Sequence, residues 1–260
     1  MLVDSHCHID FDEYAGRMPQ ILDGMARNQV SHALCVCVNL TDFPKVLSLA
    51  ERHPQLFASV GVHPDHAAEA EVTVDELVAH ARHPRIVAIG ETGLDYYRQQ
   101  GDLEWQRTRF RTHIRAALAC GKPLIIHTRE AGADTLDIMR QEGAQVAGGV
   151  MHCFTETMEM AQSAMGLGFY ISFSGIVTFK NAPAIKEVAQ SIPLERLLIE
   201  TDSPYLAPVP HRGKPNEPGW VRHVAEEIAR LRGVSLEMLA EATTANFFRL
   251  FRQNEFNKSH

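Results

Sequence analysis

Eight short apolar segments recur along the chain, and stretches with the periodicity of amphipathic helices lie between them. The segments span residues 2–8, 33–38, 57–62, 86–91, 124–128, 150–153, 169–173 and 197–201. Their apolar residues run nearly without interruption instead of alternating with polar ones, which is typical of parallel strands covered by helices. Eight such units predict a closed (β/α)₈ TIM barrel of the α/β class. A doubly wound open sheet is the alternative fold.

The length of the chain agrees with this architecture. Its 260 residues suit one barrel, since barrels of this class typically have about 250 residues. We therefore expect a single domain over residues 1–260, closed by a C-terminal helix from about 235 to 251 and followed by a polar, frayed tail at about 252–260. Hydrophobic residues make up 45% of the chain and charged residues 22%, which argues against a disordered or fibrous protein.

The N-terminus and the cysteines indicate the compartment. An acidic residue at position 4, with no basic region before an apolar core, argues against a secretory signal. No segment approaches the roughly 18 uninterrupted apolar residues of a membrane helix, so we expect a cytoplasmic protein without a membrane partner. The five cysteines lack C-x-x-C spacing, which favours reduced thiols. Cys7 and Cys153 are expected to pack into the barrel wall, since neighbours on a strand face opposite ways.

Potential metal ligands stand at the ends of the predicted strands. They are His6 and His8 on the first strand, His63 on the third, Glu91 on the fourth, His127 on the fifth, His152 on the sixth and Asp202 on the eighth. The carboxyl ends of all barrel strands lie on one face, where active sites of this fold form. Residues two apart on a strand point the same way, so His6 and His8 can hold one cation. Imidazole and carboxylate ligands without thiolate predict a catalytic site for Zn²⁺, Mn²⁺, Co²⁺ or Mg²⁺.

Six sequence motifs together resemble the TatD-type metal-dependent deoxyribonucleases, a branch of the amidohydrolase-like barrels. The motifs are DSHCH at 4–8, GVHP at 61–64, GETGLDYY at 90–97, HTR at 127–129, HCFT at 152–155 and ETDSPYL at 200–206. They run in the family's order over nearly the whole chain. The resemblance implies a hydrolase that uses two divalent ions (Zn²⁺, Mg²⁺ or Mn²⁺) to cleave phosphodiester bonds of DNA, with 3′-to-5′ exonuclease activity.

The resemblance also implies a role for each ligand. One ion would be bound by His6, His8 and Asp202, the other by His127 and His152, and Glu91 would bridge the two. Many related amidohydrolases have a carboxylated lysine where this chain has Glu91, which favours the nuclease branch. We expect the cations to activate a water molecule for attack on the phosphorus. Asp202 would accept the proton of that water, so Asp202 and Glu91 are the predicted catalytic residues.

Several residues near the predicted mouth are candidates for binding DNA, as single strands or 3′ ends. His63 is predicted to donate a hydrogen bond to a phosphate, with a packing role as the alternative. Arg129, Arg212 and Lys214 would attract phosphates, although basic loop residues are more often merely solvated. Tyr205, together with Tyr96 and Tyr97, could stack on bases or pack beneath the loops. The formal charge of −7 opposes binding of nucleic acid in bulk, but bound cations would reverse the local field.

Two other functions remain open. The same site could hydrolyse an ester or amide, such as the acyl bond of D-aminoacyl-tRNA. A barrel that binds metal without turnover is the third possibility, which a ligand set with open positions argues against. We expect a monomer. Seven further histidines are expected on the surface or at helix ends, namely His32, His53, His66, His80, His83, His113 and His223.

Overall fold

A computed structural model of the protein describes residues 1–67, 71–99 and 101–251. Within these ranges eight strands alternate with helices. The strands are β1 (Leu2–Cys7), β2 (Val30–Cys35), β3 (Leu56–Val60), β4 (Ile86–Asp95), β5 (Leu124–Arg129), β6 (Gly149–Met151), β7 (Tyr170–Phe173) and β8 (Leu197–Ile199). The helices are α1 (Met18–Arg27), α2 (Phe43–Arg52), α3 (Val74–Ala81), α4 (Glu104–Cys120), α5 (Gly132–Gln141), α6 (Met158–Gly166), α7 (Pro183–Ser191), α8 (Val221–Arg232) and α9 (Leu236–Phe251).

The strands form one parallel sheet in which each strand pairs with the next one along the chain. The carboxyl end of β1 meets the segment that follows β8, where Cys7 and Ser203 form an isolated parallel bridge. The His8 N–H donates to the Ser203 carbonyl at 2.8 Å, and the Asp202 N–H donates to the His6 carbonyl at 2.9 Å. The sheet is therefore a closed barrel, which confirms the predicted fold and excludes the open alternative.

Two strands differ by three or more residues from their predicted limits. β2 begins at Val30 and ends at Cys35, earlier than the predicted 33–38. β4 continues four residues beyond Glu91, because residues 92–95 pair with residues 126–129 of β5. Glu91 therefore lies inside a strand instead of at its end. The longer strand carries Asp95 to the same face of the barrel, with consequences described below.

Local signals in the sequence explain where the helices begin and end. α3 begins at a capping box in which Thr73 and Glu76 accept each other's backbone N–H. α4 ends at Cys120 because Gly121 adopts a left-handed conformation, with φ of 67°, that glycine tolerates best. These stops turn the chain back toward the next strand.

The predicted C-terminal helix is confirmed as α9, which packs against the barrel. Phe247 of this helix is fully buried and its ring lies 5.9 Å from the ring of Phe57 on β3. The polar tail predicted at 252–260 lies outside the described residues. Across the described helices, none is both long enough and apolar enough to cross a bilayer.

Candidate metal centre

The side chains of the six predicted metal ligands lie together at the carboxyl ends of the strands. His6 lies in β1, Glu91 in β4 and His127 in β5. The other three ligands, His8, His152 and Asp202, follow β1, β6 and β8. His6 and His8 point the same way, and their Nε2 atoms are 3.2 Å apart. The closed barrel thus brings five chain segments to one centre.

The two carboxylate oxygens of Glu91 face different imidazoles. Oε2 lies 3.3 Å from the Nε2 of His6 and 3.8 Å from that of His8. Oε1 lies 2.8 Å from the Nε2 of His152, 3.2 Å from the Nδ1 of His127 and 3.3 Å from the Nε2 of His63. A carboxylate in this position can hold a separate positive charge on each oxygen.

Asp202 completes the side of the centre that contains His6 and His8. Its Oδ1 lies 3.4 Å from the Nε2 of His8 and 3.7 Å from that of His6. The residue has a φ of 55°, and its backbone N–H is held by the carbonyl of His6. The carboxylate is 14% exposed, so one side of it remains open to the cavity above.

Three hydrogen bonds determine which nitrogen each imidazole presents. Asp95 Oδ2 lies 3.0 Å from the Nε2 of His127, which leaves Nδ1 facing Glu91. Glu200 Oε1 lies 3.2 Å from the Nδ1 of His152, and the Val36 carbonyl lies 3.1 Å from the Nδ1 of His8. Carboxylates and carbonyls behind histidine ligands are typical of metal sites, because they hold the ring and its tautomer.

Asp95 and Glu200 were missed by the sequence analysis, although both lie in the motifs quoted above. Their position was the available signal, since Asp95 lies four residues after Glu91 and Glu200 lies two residues before Asp202. Their contacts with histidines of other strands depend on the barrel, which the sequence does not display.

The carboxylates of the centre are ionised. Burial by itself would raise the pKa of Glu91, but the surrounding imidazoles of His152, His63 and His6 outweigh it and hold the pKa well below its usual value. Burial likewise opposes ionisation of Asp202, yet the hydrogen bond from His8 and the nearby imidazoles lower its pKa.

The pKa of His8 is raised, whereas those of Glu91 and Asp202 are lowered. Burial would lower its pKa, but Asp202 and Glu91 outweigh burial and raise it to about 9. Without a cation, the negative charge of the centre is thus balanced by protons on the histidines whose pKa is raised, namely His8, His127 and His152, whereas burial lowers the pKa of His6 and His63. Metal ions would replace those protons, since a ligating imidazole must be neutral.

The donor set fits divalent cations. Three groups each offer ligand atoms within 4.8 Å of one another: His6, His152 and Asp202; His6, His8 and Glu91; and His63, Glu91 and His127. The Nδ1 of His6 is buried without a hydrogen-bond partner among the described residues, so this nitrogen is left unsatisfied. His63, which was predicted to contact substrate, shares Glu91 with His127 and could therefore also bind a metal.

A cavity of about 610 Å³ opens above these residues and gives access to them. Three of the predicted substrate contacts line it, His63, Arg129 and Tyr205. The guanidinium of Arg129 lies 3.7 Å from the centre of the Tyr97 ring, so it is held flat on an aromatic face. Arg98 also lines the cavity, where it donates to Asp65 at 2.7 Å.

The other predicted basic contacts are not among the residues that line this cavity. Arg212 lies over the ring of Phe179 at 3.7 Å and donates to the carbonyl of Ala207. Lys214 is exposed. Tyr96 donates its hydroxyl to Asp134 at 2.6 Å and does not line the cavity.

Two expectations about cysteines and histidines need correction. Cys7 is buried in the wall as predicted, but Cys153 lines the cavity, because it follows the end of β6 with a φ of 42° and strand alternation no longer applies. His66 also lines the cavity. His113 is fully buried instead of exposed, since the inner face of α4 presses it against the barrel. Its Nε2 accepts the N–H of Val62 at 3.0 Å.

A (β/α)₈ barrel with histidines and carboxylates gathered at the carboxyl ends of its strands defines a metal-dependent hydrolase. The family model described as TatD related DNase matches residues 3–252, and the chain belongs to this family. It is 47% identical over 253 residues to the uncharacterized metal-dependent hydrolase YcfH of Escherichia coli K12, covering 96% of this chain and 95% of that protein.

Two further comparisons agree with this assignment. The protein named 3′-5′ ssDNA/RNA exonuclease TatD from Edwardsiella piscicida is 33% identical over 258 residues, covering 96% of this chain and 99% of that protein. The crystal structure of the TatD homologue YJJV from Escherichia coli K12 superposes with a TM-score of 0.90 at 28% identity, covering 96% of this chain and 97% of that one. The protein is thus a hydrolase of the TatD family.

Proposed function

We propose that this enzyme cleaves phosphodiester bonds of single-stranded DNA, as a 3′-to-5′ exonuclease that uses two divalent cations. The observation that carries the proposal is the orientation of Glu91, whose two oxygens face separate sets of imidazoles. The description of the family as related to DNases, and the name of the Edwardsiella relative, support DNA as the substrate.

The residues that would hold the two cations follow from this orientation. His6 and His8 lie beside one oxygen of Glu91, with Asp202 next to both of these imidazoles. His127 and His152 lie beside the other oxygen, with His63 close to them. The cations, as Zn²⁺, Mg²⁺ or Mn²⁺, supply Lewis acidity that activates water and offsets the charge of the phosphate.

Asp202 is the residue best suited to accept the proton of the attacking water. Its carboxylate is ionised, because the neighbouring histidines lower its pKa. Both carboxylates border the cavity, but the side chain of Asp202 is 14% exposed, whereas that of Glu91 is 3% exposed and enclosed by imidazoles. A general base needs both an ionised form and a path to the water, and Asp202 has both.

The rim of the cavity supplies contacts for a nucleotide chain. Arg129 can bind a phosphate while it rests on Tyr97, and the residues Tyr97 and Tyr205 are each more than half exposed. Exposed aromatic rings beside a cation suit single strands, whose bases are free to stack. Arg212 and Lys214, outside the cavity, would contact a more distant part of the strand.

The test uses chelated protein reloaded in turn with Mg²⁺, Mn²⁺ and Zn²⁺. Single-stranded DNA labelled at its 5′ end should give a ladder shortened from the 3′ end, and Asp202→Asn should reduce the rate by at least about 100-fold. Asp134→Asn is the matched control, since Asp134 pairs with Tyr96 and Arg107 outside the centre. If DNA stays intact with every metal while D-aminoacyl-tRNA is deacylated, the proposal is wrong and the enzyme hydrolyses the acyl bond instead.

A further inference from the structure

A second pair of histidines lies outside the hydrolytic centre. His211 belongs to the segment after β8, and His223 lies in the first turn of α8. Their Nε2 atoms are 3.1 Å apart. His223 is 24% exposed, so ions in solution can reach it.

The separation of these nitrogens matches that of two ligands on one ion. Two imidazole nitrogens each about 2.0–2.1 Å from a tetrahedral Zn²⁺ lie roughly 3.3 Å from each other. The pair His6 and His8, in the hydrolytic centre, has nearly the same separation, 3.2 Å. A hydrogen bond between two neutral imidazoles gives a similar distance and is the competing explanation.

The surroundings of the pair favour a ligating arrangement. Glu226 Oε2 lies 3.1 Å from the Nδ1 of His223, so a proton on Nδ1 leaves the Nε2 lone pair facing His211. This carboxylate behind a histidine repeats the contacts of Asp95 and Glu200 in the hydrolytic centre. The ring of His211 stacks on Trp220 with centroids 3.9 Å apart and planes at 11°, which holds the second nitrogen in place.

We infer that His211 and His223 form a peripheral site for a first-row divalent cation of the Zn²⁺, Ni²⁺ or Cu²⁺ type, oriented by Glu226. Such ions prefer imidazole nitrogen, whereas Mg²⁺ and Ca²⁺ prefer oxygen ligands. The bound ion fastens the segment after β8, which carries Tyr205 at the cavity rim, to α8. Nearby Lys214 opposes the ion by its charge, so the affinity is lower than in the hydrolytic centre.

Trp220 provides a reporter for this site, because paramagnetic Ni²⁺ bound to the stacked His211 quenches its fluorescence. The chain has two tryptophans, so Trp105→Phe leaves Trp220 as the sole emitter. Untagged protein with this change should show saturable quenching by Ni²⁺, with one equivalent bound beyond the ions that the tighter hydrolytic centre takes up, reversed by Zn²⁺ and unaffected by Mg²⁺.

Two substitutions remove one ligand each from this background. His223→Gln leaves the Trp220 stack untouched, and His211→Phe keeps an aromatic ring on Trp220, so both should fold. Each should weaken Ni²⁺ binding at least ten-fold. His83→Gln is the matched control: His83 also lies beside a carboxylate, that of Glu51 at 3.3 Å, and should leave the titration unchanged.

Asp202→Asn tests whether the quenching comes from this site or from the hydrolytic centre. Quenching should persist in this variant, because only the hydrolytic centre is impaired. Quenching that disappears with Asp202→Asn and survives His223→Gln would assign the signal to the centre and overturn the inference. The same conclusion follows if Ni²⁺ leaves Trp220 fluorescence unchanged, because the pair is then a hydrogen bond only.

Discussion

Asp95→Asn should weaken metal binding while it leaves the stability of the metal-free protein nearly unchanged. Asp95 Oδ1 accepts the backbone N–H groups of Tyr97 and Arg98 at 3.0 and 3.1 Å, and Oδ2 faces the Nε2 of His127 at 3.0 Å. The carboxylate accepts a hydrogen bond from Nε2–H, so in the neutral imidazole the Nδ1 of His127 carries no hydrogen and faces Glu91. The amide of an asparagine can place its oxygen where Oδ1 accepts the N–H groups of Tyr97 and Arg98. Its NH₂ group then faces the Nε2 of His127.

That exchange reverses the tautomer of His127. The NH₂ group donates to Nε2, so the imidazole proton moves to Nδ1, the nitrogen that we propose ligates a metal. Loss of such a supporting contact typically weakens metal binding 10- to 100-fold, which equals about 1.4–2.7 kcal/mol. Above the raised pKa of His127, where its imidazole is neutral, no hydrogen bond to the protein is lost, so at such a pH the free energy of unfolding of the metal-free protein should change by less than about 1 kcal/mol.

The assay is competition between the protein and a chromophoric chelator for Zn²⁺, with urea unfolding in excess chelator measured in parallel. Asp134→Asn is the control, because it makes the same chemical change at a carboxylate away from the ligands. Metal affinity within three-fold of the unsubstituted protein would refute the tautomer argument. A large loss of stability in the metal-free protein would show that Asp95 acts through folding instead.

Three further outcomes follow from other parts of the barrel. Burial lowers the pKa of His113 to about 4, below the unfolded value near 6.5, so its contribution to stability is complete above pH 6.5 and falls by about 3 kcal/mol as the pH drops to 4. Urea unfolding between pH 4 and 7 measures this, and an unchanged slope in His113→Gln would contradict it. Gly93→Ala should cost several kcal/mol of stability, because a Cβ there would lie 2.0 Å from the carbonyl oxygen of His127 at a φ of 138°. Gly166→Ala, where a Cβ meets nothing within 4 Å, should leave the melting temperature unchanged or raise it. Arg129→Ala should raise KM for single-stranded DNA several-fold with little change in kcat, and a fall in kcat alone would exclude a role in substrate binding.

The sequence by itself predicted the barrel and the kind of chemistry at its mouth. Uninterrupted apolar segments such as 86–91 and 124–128 are local patterns, and eight of them leave few alternative folds. The chemical types of the ligands are equally local, since an imidazole at the end of a strand can be seen in the sequence. That is why the sequence is enough to propose His6, His127 and Asp202 as metal ligands.

The tertiary structure decided how those groups face one another. The two-sided environment of Glu91, the nitrogen that His127 presents and the burial of His113 each depend on residues from distant strands or on the inner face of a helix. Periodicity reports which side of its own strand or helix a residue occupies, but the direction of a lone pair and the cost of a buried charge are set by neighbours that are remote in sequence. Closure of the barrel brings those neighbours together.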